Sequence, residues 1–254
     1  VTMDKNAIPL LSRLASEGKT TEYLLWFGSM GRFDRNSRTD ATYFASLLAH
    51  AGVSFATLGE EESDTADEIR YSGDEYSFEI CARRNIATIG KYGISKIITP
   101  CPHSYTAFKN YYPAFGGHYH VWHHSQFLLK LIKDGRIKPR PVLSGKKVTY
   151  HDPCRLSRTG ITDAPREIIR LLGGELLPVK HDGKNSMCCG GGSYLSSTDI
   201  PQKVASMRLC ELTAAGAETI ITSCPVCRSM LSSSGGTTMS QTAVTDICRL
   251  IQPE

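Results

Sequence analysis

Five cysteines in the second half of the chain have the types and the spacing to bind metal. They follow the pattern C-x33-CC-x34-C-x2-C and are Cys154, Cys188, Cys189, Cys224 and Cys227. Thiolates are soft ligands that suit iron–sulfur clusters and zinc. A tetrahedral zinc site or an ordinary cubane cluster uses only four ligands, so a fifth cysteine is informative. The constellation favours a metal centre over five cysteines packed in a core.

Three glycines, Gly190, Gly191 and Gly192, follow the adjacent pair Cys188-Cys189. Glycine lets the backbone turn tightly and aim its amide N–H groups at sulfur atoms. We therefore expect this glycine run to take part in binding the metal centre.

The cysteines lie where short apolar runs end, and the runs occur in two similar halves of the chain. The strand-like runs are Tyr23 to Phe27, Lys96 to Thr99, Lys147 to Tyr150 and Thr219 to Thr222. Corresponding positions in the two halves are 123 to 125 residues apart. Helix-like segments follow, at Tyr105 to Tyr111, Asp163 to Leu172 and Arg228 to Ser232. Such alternation predicts parallel sheets, with functional groups at the carboxyl ends of the strands.

The fold expected from this repeat is α/β, with two pseudo-equivalent, Rossmann-like domains. Residues 134–146 contain two prolines and two glycines and show no clear periodicity, which is typical of a linker. We place the first domain at residues 1–138 and the second at residues 139–254.

The motifs YHDPC, MCCGG and TSCPVC resemble those of the cysteine-rich (CCG) domain proteins. This family includes heterodisulfide reductase subunits of the B and D type and the iron–sulfur subunits of glycolate, lactate and glycerol-3-phosphate oxidoreductases. The resemblance extends into the first half, through YLLWFGSMGRFDR, the segment DEYSFEICARRNIATIGKYGISKIITPCPHSYTAFKNYYP and HVWHHSQFL. It implies a pair of CCG domains, with the cluster at the strand carboxyl ends of the C-terminal one.

The resemblance also implies a ligand set and a cofactor. Carried over residue by residue, the ligands of one non-cubane [4Fe-4S] cluster are Cys154, Cys188, Cys189, Cys224 and Cys227. The equivalent positions of the first half are Ser29, Asp64, Thr65, Cys101 and Ser104, of which only one is a cysteine. We therefore expect a degenerate first domain without a cluster.

The function implied is that of an iron–sulfur electron-transfer subunit in a heterodisulfide-reductase-like oxidoreductase complex. If a substrate meets the cluster directly, the expected chemistry is reduction of a disulfide; no catalytic residue is assigned. Many relatives carry a further motif C-x2-C-x2-C-x3-C-P, which is not found in this sequence. Electrons would then come from partners, a flavoprotein or a ferredoxin-like iron–sulfur protein. The alternatives are an electron relay between a flavin subunit and quinone, and a zinc-stabilised assembly module without turnover.

Composition and charge exclude several other classes of protein. The net charge of +4 is spread along the chain, so a nucleic-acid partner is not indicated. The apolar runs are far shorter than the roughly 20 residues of a membrane-spanning helix. We expect a cytoplasmic protein that meets a membrane only through a partner complex. The sequence begins at Val1, which leaves open whether it is a piece of a longer polypeptide.

The remaining cysteines and the histidines are weaker candidates. Core packing is favoured for Cys81, Cys210 and Cys248, whereas Cys101 is either an inherited loop anchor or a residual redox group. The histidines at positions 118, 120, 123 and 124 do not share one face of a strand or helix, so no metal site is assigned there. His151 could donate to a cluster sulfide or form a loop hydrogen bond.

Overall fold

A computed structural model describes residues 8–191, 198–238 and 242–253 of the chain. Contacts between residues divide it into two compact units, with the division between Phe127 and Leu128. The sequence places the domain boundary in the segment that follows, after residue 138, and that boundary stays a prediction. Each unit is described separately below.

The first unit contains a four-stranded parallel sheet in the order β2-β1-β3-β4. Its strands are β1 (Tyr23–Leu25), β2 (Phe55–Ala56), β3 (Lys96–Thr99) and β4 (His120–His123). Its helices are α1 (Leu11–Ser16), α2 (Gly28–Phe33), α3 (Arg35–His50), α4 (Asp67–Tyr71), α5 (Glu75–Gly90) and α6 (Pro102–Thr106), and α7 (His124–Lys133) crosses the division between the units. A π-helical turn, Ala107–Tyr111, extends α6.

The second unit repeats this arrangement, with a parallel sheet in the order β6-β5-β7-β8. Its strands are β5 (Lys147–His151), β6 (Glu175–Leu176), β7 (Thr219–Thr222) and β8 (Ala243–Asp246). Its own helices are α8 (Cys154–Arg158), α9 (Asp163–Leu171), α10 (Ile200–Ala214) and α11 (Pro225–Thr238). The predicted α/β class with two pseudo-repeated parallel sheets is confirmed.

The register of the strands confirms the internal repeat. Leu25 of β1 lies beside Ile98 of β3, and Tyr150 of β5 lies beside Ile221 of β7. These pairs occupy equivalent positions in the two sequences. In both sheets the strand order reverses direction between the first and third strands, and in open α/β sheets ligands bind at such a point.

Rings from several elements form the core of the first unit. Trp26, which follows β1, packs edge to face against Phe108, with ring centroids 4.8 Å apart. Phe108 packs in the same way against Tyr112, and both rings are fully buried. Edge-to-face aromatic pairs stabilise a core beyond the area that they bury. These rings help to stabilise a sheet whose neighbouring loops lack most of the cysteines.

One expectation about this unit is wrong. The types of Tyr111, Tyr112, Trp122, His123 and His124 suggest an exposed patch suited to an interface. In the structure Tyr112, His123 and His124 are fully buried, while Tyr111 and Trp122 are only partly exposed. Aromatic residues serve cores and interfaces equally well, so their types alone do not show which one they form.

The core of the second unit includes three of the five cysteines. Leu209 and Leu212 of α10, Ile220 of β7 and Leu231 of α11 form a buried cluster with Cys189, Cys224 and Cys227. Thiols therefore lie directly against apolar side chains, and water has little access to them. Among the described residues, no helix is both long and apolar enough to cross a membrane.

Replacement of Phe108 tests the aromatic core. Phe108→Ala should lower the free energy of unfolding of the first unit by about 3 to 5 kcal/mol, because a buried ring is lost and a cavity remains. Tyr76→Ala is the matched control, since Tyr76 is 76% exposed, and it should change the free energy by less than about 0.5 kcal/mol. Urea unfolding followed by circular dichroism measures both. Equal effects of the two changes would contradict the core assignment.

Candidate metal centre

Three loops at one edge of the second sheet carry the five cysteines. Cys154 begins α8 directly after β5, and Cys188 and Cys189 lie in the loop between β6 and α10. Cys224 and Cys227 lie at the start of α11, after β7. Because β6, β5 and β7 are parallel neighbours, their carboxyl ends meet at the same edge, where the strand order also reverses. The fold thus brings together cysteines that are far apart in the sequence.

Hydrogen-bond contacts connect all five thiols. Cys154 contacts Cys188, Cys188 contacts Cys189, Cys189 contacts Cys227, and Cys227 contacts Cys224. Cys189, Cys224 and Cys227 are buried, whereas Cys154 and Cys188 are partly exposed. The result is a continuous set of sulfur atoms that is closed on its inner side and partly open on the other.

Two glycines allow the loop to come this close. A Cβ atom on Gly190 would lie 2.2 Å from the carbonyl oxygen of Pro201, and φ at Gly190 is +83°. A Cβ atom on Gly191 would lie 2.4 Å from Val226 Cγ1 in α11. Their N–H groups donate to the Sγ atoms of Cys188 and Cys189, at 3.3 and 3.4 Å. The predicted role of the run is thus visible for these two; Gly192 lies outside the described residues.

The thiols perturb one another's pKa values. Hydrogen bonds from Cys154 and Cys189, together with the Gly190 N–H, lower the pKa of Cys188 to about 2. The hydrogen bond to Cys188 and burial raise the pKa of Cys154, and those of Cys189 and Cys227 are raised as well. Five thiolates at such distances repel one another. They are compatible only around a group of high positive charge, which is what a metal cluster provides.

His151 lies beside this set of thiols. It is the last residue of β5 and is fully buried, and one of its ring nitrogens and the Sγ atoms of Cys189 and Cys227 lie within 4.8 Å of one another. Burial, reinforced by the charge of Arg208, lowers the pKa of His151 to about 3. The imidazole is therefore neutral near pH 7.

An ion pair that the sequence analysis missed fixes the cysteine loop to the sheet. Arg166 of α9 binds both carboxylate oxygens of Asp152, at 2.7 and 2.8 Å, and the Gly183 N–H donates to the same carboxylate at 2.9 Å. Asp152 is buried. Bidentate pairs of this kind are geometrically specific. Asp152 therefore ties α9 and the segment before Cys188 to the end of β5, and its place in the HDPC motif was the available signal.

The other candidate residues lie away from the five thiols. Cys210 is exposed on α10 and Cys248 is buried near the C-terminus, while Cys81 and Cys101 belong to the first unit. Among the described residues, the only group with metal-binding geometry is His151 with Cys189 and Cys227. The histidines at 118, 120, 123 and 124 form no such group there.

The equivalent site in the first unit is filled by polar contacts. Ser29 donates a hydrogen bond to Asp64, and the hydroxyls of Thr65 and Ser104 lie 3.4 Å apart. Cys101 is buried beside Gly28, where an added Cβ atom would lie 3.0 Å from Cys101 Cβ. All five equivalents thus remain at one edge of the sheet, but four of them offer oxygen atoms in place of sulfur.

Glu62 supports this degenerate site from below. Its carboxylate accepts the N–H groups of Phe27 and Gly28, at 3.0 and 2.7 Å, just before Ser29. The side chain is only 3% exposed. Burial raises the pKa of Glu62 to about 7, against the lowering effect of the two N–H donors and Arg32.

Known proteins resemble this chain along most of its length. A family model described as "Cysteine-rich domain", CCG, matches it twice, over residues 32–109 and 148–232. The two matches together cover more than half of the chain, and each falls within one of the two units. The second match contains all five clustered cysteines.

Three curated proteins illustrate the relationship. "Probable iron-sulfur-binding oxidoreductase FadF" of Bacillus subtilis is 39% identical over 228 residues, which are 88% of this chain and 32% of that protein. "EtfAB:quinone oxidoreductase" of Syntrophomonas wolfei is 36% identical, over 87% of this chain and 32% of its own length. The D-type subunit of dihydromethanophenazine:CoB–CoM heterodisulfide reductase from Methanosarcina mazei is 30% identical, over 82% and 53%. The chain thus spans about a third to a half of these relatives.

The buried carboxyl group predicts a pH effect on stability. With a pKa near 7 in the folded state against the ordinary 4.5, Glu62 holds its proton over this window only when the protein is folded. The free energy of unfolding should therefore fall as the pH rises from about 4.5 to about 7, by about 1.4 kcal/mol per unit of pKa difference. Glu62→Gln should remove this component.

The comparison needs a carboxylate that is not buried. Glu60→Gln is the matched control, because the Glu60 side chain is exposed, and its stability should follow the wild-type pH profile. Urea unfolding at a series of pH values measures all three proteins. A Glu62→Gln profile parallel to that of the wild type would show that Glu62 does not titrate in this window.

Proposed function

This chain belongs to the cysteine-rich (CCG) domain family, and from that membership and its five clustered thiols we propose that it is an iron–sulfur electron-transfer subunit of an oxidoreductase complex. The cofactor proposed is one [4Fe-4S] cluster of the non-cubane type in the second domain. Its proposed ligands are Cys154, Cys188, Cys189, Cys224 and Cys227. The first domain is proposed to hold no cluster.

The observation that carries this proposal is the convergence of the five thiols at one edge of the second sheet. Cys154 and Cys224 follow neighbouring strands and are 70 residues apart in the sequence. Thiols do not gather in this way for packing alone, because five of them in contact offer little apolar surface and repel one another when ionised. A cluster of iron and sulfide relieves the repulsion.

The surroundings fit such a group. Two backbone N–H groups already donate to the sulfur atoms, and the buried Nε2 atom of His151 has no hydrogen-bond partner among the described residues. Hydrogen bonds to sulfur and exclusion of water both tune the potential of iron–sulfur centres. When bound, the cluster would supply one-electron redox chemistry. The protein's own residues would fix its ligands, exclude water and orient donors toward it.

Electrons are proposed to enter or leave on the side of Cys154 and Cys188. These thiols are partly exposed, whereas Cys189, Cys224 and Cys227 are enclosed by α10, α11 and β7. A redox partner that approached from the enclosed side would be separated from the sulfur atoms by the apolar core. The proposed partners are other redox subunits, a flavoprotein or a ferredoxin-like iron–sulfur protein.

Reduction of a disulfide is the finer proposal for this site. A disulfide that reached the open side would accept two electrons, delivered one at a time from the redox partner, and two protons from solvent. The S–S bond would break and two thiols would leave. The similarity to a protein named as part of a heterodisulfide reductase supports this choice.

An electron relay from a flavoprotein to quinone is the second candidate. It is favoured by the similarity to a protein named EtfAB:quinone oxidoreductase. One further relative is named a membrane-anchored ferredoxin, which agrees with a cytoplasmic subunit that reaches the membrane through its complex. A zinc-stabilised assembly module is the third, since four thiolates suffice for zinc.

Metal analysis of anaerobically purified protein separates these candidates. We expect about four irons and about four sulfides per chain, because one domain has the ligands and the other has lost four of five. About eight irons would mean that the first domain also binds a cluster. About one zinc with no iron would support the assembly module and refute the redox proposal.

Single substitutions test the ligand assignment. Cys188→Ser and Cys189→Ser should each lower the iron content and change the electron paramagnetic resonance spectrum, because oxygen is a poorer ligand than thiolate for the cluster. Cys210→Ser is the matched control, since Cys210 is exposed on α10 and takes no part in the thiol contacts described. Equal loss of iron from all three variants would show that the assignment is wrong.

A further inference from the structure

A fully buried arginine contacts His151 on the side chain's Nδ1 atom. Arg208 of α10 is 0% exposed, and its Nε–H group donates to His151 Nδ1 at 3.1 Å. Its Nη1 atom donates to Glu211 Oε2 at 2.9 Å, which fixes the direction of the guanidinium. The contact with His151 joins two residues 57 positions apart, so it depends on the fold and not on local sequence.

This contact determines where the imidazole carries its proton. Arginine has five N–H donors and no acceptor, and it stays protonated in proteins. Nδ1 of His151 must therefore accept, which requires its lone pair. A neutral imidazole has one proton, and with Nδ1 as acceptor that proton lies on Nε2.

The Nε2–H group has the thiols as neighbours. Nε2 is buried and has no hydrogen-bond partner among the described residues, while the ring lies within reach of Cys189 and Cys227. We propose that Arg208 is a positioning residue that holds His151 as the Nε2–H tautomer, so that this N–H donates to a sulfur atom of the bound cluster and raises its reduction potential. The inference rests on the proposed function, since it requires a cluster on the five cysteines.

Two consequences follow from the tautomer. His151 cannot itself be a metal ligand as a neutral ring, because a ligand nitrogen needs a lone pair and the lone pair of Nδ1 is used by Arg208. The group of His151, Cys189 and Cys227 therefore does not form a mixed histidine–cysteine zinc site. An N–H donor to sulfur also stabilises the reduced, more negative form of a cluster more than the oxidised form, which raises the potential.

The first domain provides an internal comparison. By strand register Trp26 takes the place of His151. The buried residues Ala82, Asn85 and Ile89 of α5 repeat the spacing of Ala205, Arg208 and Leu212 in α10, so that Asn85 takes the place of Arg208.

The first domain has thus replaced both members of the pair. Trp26 packs against Phe108, and Asn85 donates to the carbonyl of Asp64 and to the Tyr112 hydroxyl. The same sheet forms without the histidine and the arginine, in the domain that has lost four of the five cysteines. The pair therefore accompanies the thiols and is not a requirement of the fold.

The test compares reduction potentials of the cluster in the full chain, measured by dye-mediated titration followed by electron paramagnetic resonance. Arg208→Met removes the donor to Nδ1, and His151→Phe removes the donor to sulfur. Both should lower the potential while most of the iron is retained. The double variant should shift no further than His151→Phe, because Arg208 acts through His151. Met207→Ala, at an exposed neighbour on α10, is the control and should leave the potential unchanged.

The results that would overturn the proposal are specific. A wild-type potential in Arg208→Met with its cluster retained would do so, as would additive shifts in the double variant. If Arg208→Met loses the cluster, Arg208→Lys, which keeps a donor, should recover it with a potential closer to that of the wild type. A cluster bound by Arg208→Lys with a potential no closer to that of the wild type than the His151→Phe potential would contradict the proposal.

A second measurement does not depend on the cluster. Nuclear magnetic resonance of the chain with ¹⁵N-labelled histidine, prepared without metal, should show His151 protonated on Nε2 in the wild type and a mixture of tautomers in Arg208→Met. A proton on Nδ1 in the wild type would refute the tautomer assignment. Absence of iron from the wild-type protein, with the Nε2–H tautomer present, would instead refute the proposed function alone.

Discussion

Mutual repulsion of sulfur donors is the constraint on which the second domain depends. Five thiols can contact one another only if the backbone brings three loops to one place and something compensates the charge of the ionised sulfurs. The parallel order of β6, β5 and β7 supplies the first condition, because their carboxyl ends meet at one edge. The glycine loop supplies close approach, and its N–H groups supply part of the compensation.

The first domain shows which parts of this arrangement belong to the fold and which to the chemistry. It keeps the strand order, the register and the meeting of five equivalent side chains, although only Cys101 is a cysteine. Buried aromatic rings and the Glu62 carboxyl group stabilise it. A CCG fold therefore does not need a metal to form its sheet, and the thiols of the second domain are retained for chemistry.

Local patterns in the sequence predicted what depends on local patterns. The β-branched runs KIIT and TIIT gave β3 and β7 with the bounds found, and the repeat gave the shared edge of the sheet. Contacts between distant residues were out of reach. Asp152 with Arg166 and His151 with Arg208 join separate elements, and no spacing in the sequence indicates them. The aromatic segment near Tyr112 was misread because residue type does not determine exposure.

The buried charge of Arg208 connects these points. A guanidinium with no exposure is costly unless negative charge lies nearby. Glu211 supplies one carboxylate at 2.9 Å, but it is partly exposed and also binds His181. The thiolate set beyond His151 supplies further negative charge on the buried side. At the equivalent position in the first domain, where hydroxyls and one carboxylate replace thiols, the residue is the neutral Asn85. The charge of Arg208 is therefore matched to anionic sulfur, and the imidazole between them transmits its effect.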